Sequence, residues 1–394
     1  MKSIGNKNVI TIICAVLILF VPAPSAFAQP TDNAALLYYQ AFLLYEKPDD
    51  TMEEMLSDFR NDKIKANEII AQYIKKNQKA IDFVVAAANT PNCDWGYDYS
   101  QGFDLLMPNL AQLRQVTFLI RADAKLLAEK GKYQTALERC LSMHKMALHA
   151  ANKTLVGYLV AIAISGGANT TIQNVLKDTP ENLQILNQLK EQLINIENKF
   201  PSLKDYIGYE AEMCLSSMQK DKAQTIVSMA SEQENVNSNM AVRILEADEE
   251  FFERNRDCYS HHIDSIQAVL ETPESYSQVY EKLQELEEKL IKESKEKDAP
   301  LAMAASPAFQ RIYSLTVRIK THFNAVKAAI EIYQIKSRTG KLPDALPAGL
   351  PRDLFSDKPF EYRKTTDGFI LRYRGEDLSD KDNKTHEYEF KVKK

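Results

Sequence analysis

The stretch from Thr154 to Leu176 carries no charged residue. A helix of that composition needs either a bilayer or a coat of protein around it. Its polar members, Ser165, Asn169, Thr170, Thr171, Gln173 and Asn174, are costly in hydrocarbon but can be satisfied inside a protein. A buried helix is therefore the expectation. Gly157, Ala161, Ser165, Gly166 and Gly167 let a neighbouring helix come close, or let the helix bend near Gly166-Gly167. The rest of the chain has to supply amphipathic helices that cover this one.

It does so first on the N-terminal side. Pro108 is placed to open a helix, and Leu110, Leu113, Thr117, Ile120, Ala124 and Leu127 recur by three and four. Gly131 can end it in a left-handed conformation. Tyr133, Ala136, Leu137, Cys140, His144, Ala147 and Ala151 then form a facing stripe. The pair reads as an antiparallel hairpin. Its junction, L-A-E-K-G-K-Y-Q-T-A-L-E-R-C, resembles that of a tetratricopeptide (TPR) unit. No second copy follows at a spacing of about 34 residues, so the hairpin is TPR-like but not part of an array.

Other helices are expected over Ala34–Tyr45, from Thr51, over Asp62–Lys76 and Gln78–Ala88, from Thr179-Pro180-Glu181 to about Lys199, and from Pro201 to Met218. Residues Ala223–Asn239 turn Ser/Asn/Gln-rich and read as a loop or lid. A long charged helix is expected over Met240–Leu270. Another follows Thr272-Pro273-Glu274, with Val279, Leu283, Leu286 and Leu290 on one stripe, too short for a coiled coil. Lys292–Pro300 reads as a solvated connection. The last helix begins after Ser306-Pro307, places Ile312, Thr316, Ile319, Phe323, Val326, Ile330 and Tyr333 on one face, and stops near Thr339-Gly340.

The tail changes period. Phe360 and Tyr362, then Phe369, Leu371 and Tyr373, then Tyr388, Phe390 and Val392 alternate with polar or opposite-face residues. Three short antiparallel strands with one apolar face follow. Such a sheet needs support, which the last helix can give. The expected fold is mainly α, built of irregular antiparallel hairpins with a small three-stranded antiparallel β tail. It divides into a helical domain, 29–300, and a long helix plus sheet, 301–394.

Residues 1–28 read as a signal peptide. Lys2 and Lys7 precede an apolar run at 9–21, and Ala26-Phe27-Ala28 offers small residues to a signal peptidase. Pro22 and Pro24 end a run that is short for a membrane span. Cys14 follows Ile12-Ile13 rather than the small residue a lipoprotein site requires. Export to a periplasmic or extracellular space is expected, with no span after cleavage; an uncleaved anchor is the other reading. Of 49 basic residues, Lys2 and Lys7 belong to this leader, leaving 47 against 54 acidic ones. That balance and the lack of a basic patch point away from nucleic acid.

Cys93, Cys140, Cys214 and Cys258 remain after cleavage. In an exported protein they can form two disulfides in three pairings, or stay as buried thiols. No C-x-x-C spacing suggests zinc. The loop N-C-D-W-G-Y-D-Y-S-Q-G-F-D holds the only tryptophan, and Asp94, Trp95, Tyr97, Asp98 and Tyr99 put rings beside carboxylates. That mix suits a sugar or peptide ligand. Equally, Trp95 can plug the loop into the core. His261-His262 with Asp257 and Asp264 is the densest histidine cluster, without a strong metal spacing, and reads as a solvated helix face. Glu210, Glu212 and the run Glu246–Glu253 read as surface rather than acid–base machinery. Asp377, Asp380 and Asp382, in an acidic turn with Glu376 and Asn383, are candidate calcium ligands. Lys384 falls where an EF-hand needs a ligand, and a solvated turn is the alternative. No catalytic or cofactor fingerprint is present.

The Trp95 loop, the following L-L-M-P-N-L-A-Q-L-R, the A-L-E-R-C hairpin and the opening N-A-A-L-L-Y-Y-Q-A-F-L-L resemble secreted helical proteins of planctomycete-type bacteria. That resemblance implies an exported α-helical fold and no assigned activity. The tail A-I-E-I-Y-Q-I-K-S-R-T-G-K-L-P-D-A-L, with F-S-D-K-P-F-E-Y and D-G-F-I-L-R-Y, is similar to the C-terminal module of type II secretion pseudopilins. It implies a long helix leading into a small sheet, and a calcium loop in some members. The functional expectation is a non-catalytic scaffold or binding protein of the envelope, its partner a protein or glycan. The alternatives are an envelope hydrolase using Asp98 and His261 beside Trp95, and a secretion-system accessory.

Overall fold

The computed structural model describes residues 32–177, 179, 182–232, 238–380 and 387–392; the expected signal peptide lies outside them. Helices α1 (Ala34–Leu44), α2 (Asp50–Arg60), α3 (Glu68–Lys76) and α4 (Gln78–Ala88) precede the Trp95 loop. Next come α5 (Pro108–Glu129), α6 (Tyr133–Ala150) and α7 (Leu155–Leu176). Then α8 (Leu183–Glu197), α9 (Leu203–Ser217), α10 (Ala223–Glu232), α11 (Ser238–Glu246), α12 (Glu249–Glu271), α13 (Tyr276–Glu296) and α14 (Pro300–Ala305) lead to α15 (Phe309–Thr339). Strands β1 (Glu361–Thr365), β2 (Gly368–Arg372) and β3 (Glu387–Lys391) close the chain. The fold is mainly helical with a small antiparallel sheet, as the periodicities predict.

The caps explain where the expected boundaries move. Residues 61–67 do not extend α3, because Asn67 accepts from the Ile70 N–H and starts the helix there. Asp62 instead takes a positive φ of 62° and turns its carboxylate to Lys125 and Lys177. Burial raises its pKa, but these two ammonium groups outweigh that and hold it at about 2. Ala223–Glu232 is a helix rather than a loop. The expected single helix at 240–270 is two, because Asp248 accepts from the Phe251 N–H at 2.9 Å and begins α12. The expected connection at 292–300 is helical to Glu296, and Pro300 opens α14 at once.

Helix α7 lies at the centre, in contact with α5, α6, α9, α15 and β3. Its exposed residues are Val156, Ala163 and Thr170, a narrow seven-residue stripe; the others are buried or half-buried. Close approach is built in: a Cβ at Gly157 would lie 2.3 Å from Asn152 Oδ1 and 2.7 Å from the Ala150 carbonyl oxygen. Tyr158 is fully buried and shares a 3.0 Å hydrogen bond with Thr316 of α15. Further along, α15 is tied to α8 by the Lys190–Glu331 and Lys327–Glu197 ion pairs and by Gln334 Nε2 to Asn187 Oδ1 at 2.8 Å. The long helix is thus part of the same core as the helices before residue 300.

The sheet has the order β1-β2-β3, with Phe369 opposite Phe390 and Leu371 opposite Tyr388. These four side chains form its buried face. It packs on α15, where Tyr333 donates to the Lys391 carbonyl at 2.5 Å and its ring lies 5.6 Å from Phe369. His322 stacks on Tyr388 at 4.6 Å and bonds Gln173 of α7, so α7 shares the load. Asp353 anchors the α15–β1 connection. It is fully buried and accepts from the N–H groups of Phe355, Arg374 and Gly375 at 2.9 Å and from Ser356 Oγ at 2.5 Å.

His144 confirms its place on the apolar stripe: it is fully buried on α6, its ring 4.7 Å from Phe323. Burial pushes its pKa down to about 3, against a smaller upward pull from Asn169, and nearby His322 pushes it further down. An unfolded imidazole titrates near 6.5, so between those values the unfolded state binds the extra proton. Stability is then complete above about pH 6.5 and falls as pH drops toward 3. The thermal midpoint should decline over this window. His144→Leu should flatten the decline by about 1.4 kcal/mol per pH unit. Scanning calorimetry of both proteins from pH 7.5 to 4 checks this, and an unchanged slope in the variant contradicts it.

Candidate functional site

The loop after α4 is fastened to the start of the protein before it reaches Trp95. Ala34 N–H donates to the Asn92 carbonyl at 2.8 Å. Asn33 meets the Asp94 backbone through both halves of its amide at 2.9 Å. Gly96, at a φ of 71°, turns the chain while its N–H donates to Asp94 Oδ1. Trp95 is thereby driven inward and is only 8% exposed. Its ring stacks on Tyr38 at 5.4 Å and meets Tyr39 edge-on at 5.7 Å. Its Nε1–H donates to the His149 carbonyl at 2.8 Å. Tyr97 donates to Asn109 Oδ1 at 2.5 Å, and Asp98 caps the turn that follows by accepting from Ser100. All five expected ligand residues thus have structural partners, Tyr99 meeting the Tyr97 ring edge-on at 5.9 Å. Tyr99, 38% exposed, keeps a ring at the surface.

The loop nevertheless forms one end of a cleft of about 1210 Å³. Its walls come from α6 and α8. On α6, Lys145, Leu148 and His149 face it, spaced by three and four. On α8 and just beyond, Gln192, Asn195, Ile196 and Lys199 follow the same rule. Ala151, Asn152 and Lys153 contribute from the α6–α7 turn, and Cys93, Asp94, Trp95 and Tyr99 from the loop.

Two titratable groups of the cleft, Cys93 and His149, are held in unreactive states. Burial, and then the Asp94 charge, push the Cys93 thiol up to about 12, so it is protonated at neutral pH and a poor nucleophile. Burial pushes His149 down to about 4. Its Nδ1 and the Tyr38 hydroxyl share a 3.0 Å hydrogen bond, which fixes the ring as a brace for Tyr38 and Trp95. Lys145 is lowered by burial and then by the charge of Lys199, while its Nζ donates to Asn89 Oδ1 at 2.7 Å.

The remaining expected residues lie elsewhere. Asp98 and His261 do not line the cleft; His261, Asp257 and Asp264 are exposed on α12, and His262 is buried beside Ser306. Glu210, read as surface, is half-buried and accepts from the Leu155 N–H at 3.1 Å, capping α7 from α9; Glu212 is exposed. All four cysteines are free thiols, with Cys140, Cys214 and Cys258 buried. Asp377 is buried and ion-paired with Arg318 at 2.5 Å, and its other oxygen accepts from Ser379. Asp380 follows it in the turn; Asp382 lies outside the described residues. Among the described residues no group of three His, Cys, Asp or Glu side chains is placed to hold a metal ion.

The cleft lysines, His149, Gln192 and Asn195 did not emerge from the sequence. The available signal was the polar stripe Gln192, Asn195, Lys199 on a helix whose opposite stripe is leucine-rich. Fold and cleft together define a mainly helical protein with a groove lined by α6, α8 and the Trp95 loop. No protein-family model, curated protein or solved structure matches the chain.

Trp95 should therefore behave as a core residue. Trp95→Ala should cost about 3–5 kcal/mol in urea unfolding, and Trp95→Phe much less, losing chiefly one hydrogen bond of about 1 kcal/mol. A loss below 1 kcal/mol for the alanine variant would contradict the packing.

Proposed function

We propose that the protein is an exported, non-catalytic helical binding protein of the cell envelope, and that its ligand occupies the cleft between α6, α8 and the Trp95 loop. The observation that carries this reading is a large groove whose thiol and imidazole are both held in unreactive states. The Cys93 thiol is protonated, and the His149 ring is neutral and engaged with Tyr38. A catalytic site needs at least one group poised near its working pH. A binding groove needs shape and a few fixed polar groups, which the Trp95 loop and the stripe on α8 supply. Export rests on the charged, apolar and small-residue order of residues 1–28. The resemblance to secreted helical proteins supports the same location.

The test is retention by the isolated envelope. Purified protein mixed with envelope fragments and sedimented should be retained. Asn195→Trp, which sets a large ring in the groove from an exposed position, should be released. Retention that is identical in the variant, or no retention of the parent protein, would overturn the reading.

A further inference from the structure

Several part-buried lysines are ion-paired, whereas the half-buried Lys145 of the groove is not. Lys125 and Lys177 meet Asp62, Lys190 meets Glu331, and Lys327 meets Glu197. Lys145, Lys153 and Lys199 line the groove, and none has an ion-pair partner among the described residues. Lys145 is half-buried, and the group its ammonium bonds is the neutral amide of Asn89. Lys153 lies 5.5 Å from the Tyr209 ring. The positive charge of Lys199 is felt at Lys145, so two like charges face one groove with no acid between them. The two acids of the lining, Asp32 and Asp94, belong to the junction of α1 with the loop, and Asp94 Oδ1 is occupied by the Gly96 N–H. Uncompensated ammonium groups in a partly desolvated groove favour an anion, whose charge-assisted hydrogen bonds are stronger there than in open water.

The rest of the lining narrows the class. Gln192 and Asn195 stand exposed on the same face as Lys199, one helical turn or two away. Asn89, Asn92 and Asn152 add further amides, and Tyr99 offers a partly exposed ring. Amides both donate and accept, which matches hydroxyl groups, and a ring face covers the C–H side of a pyranose. The groove exceeds the usual range for a single small ligand, roughly 300–1,000 Å³, and suits several linked units.

We infer that the groove binds an acidic saccharide, its carboxylate held between Lys145 and Lys199 and its hydroxyls met by Gln192 and Asn195. This rests on the binding reading above and adds the ligand's chemistry. Calorimetric titration with a galacturonic acid trimer tests it, beside a neutral trisaccharide, inorganic phosphate and a glutamate-rich peptide. The acidic trimer should bind at least about tenfold more tightly than the other three, and added salt should weaken it. Lys145→Gln and Lys199→Gln should each weaken it by about tenfold with unchanged circular dichroism, as expected for a lost charge-assisted hydrogen bond. Equal binding of the neutral sugar, abolished by Asn195→Trp, would overturn the anionic pole and leave the groove as a binding site. Equal binding of phosphate or of the peptide would overturn the saccharide assignment. No binding of the trimer, with envelope retention still lost in Asn195→Trp, would overturn this inference alone.

Discussion

Burial of the charge-free helix Leu155–Leu176 is the constraint on which the structure depends. A helix apolar on nearly every side cannot be stabilised by one neighbour. Here α5, α6, α9, α15 and β3 surround it, and only the Val156–Ala163–Thr170 stripe reaches solvent. Its N-terminus is capped twice. Thr154 accepts from the Gly157 N–H, and Glu210 of α9 reaches across to the Leu155 N–H. Its small residues set the approach distance of the turn before it, as the close contact at Gly157 shows. The groove inherits its rigidity from this centre, because the wall helix α6 packs along the whole of α7.

Two ion-paired clusters carry charge into the interior. Asp62 joins Lys125 and Lys177 from two different helices, and Asp377 joins Arg318 of α15 to the turn after β2. Removing Asp62 or Arg318 would leave a buried charge, Lys125 or Asp377, without its ion-pair partner. Asp353 is matched instead by backbone N–H groups, and ties the α15–β1 connection to the turn after β2. Beside these matched charges, the half-buried Lys145 of the groove has only the neutral amide of Asn89 as its hydrogen-bond partner.

Much of the fold was legible because it is periodic. The stripes of 108–129, 133–150 and 309–339, and the alternation at 361–372 and 387–391, are set by residues three, four or two apart. The boundaries that moved depended on single capping side chains. Asn67 and Asp248 each accept one backbone N–H and restart a helix, a signal carried by one residue and common in loops as well. Trp95 was legible both as an anchor and as a ligand-facing ring, and its burial against Tyr38 decides for the anchor. The groove was not legible. Lys145 and Lys199 come from different helices and meet only through tertiary packing, and nothing in the local text of either distinguishes them from solvated lysines. Asp377 misled for the same reason: its partner, Arg318, is distant in the chain.

Hydrogen exchange followed by mass spectrometry on the native protein tests the central claim most directly. The account predicts that amides of Leu155–Leu176 exchange last, together with the facing part of Phe309–Thr339, because both open only with global unfolding. Rapid exchange across Leu155–Leu176, with slower exchange in α12 or α13, would place the core elsewhere and contradict the account.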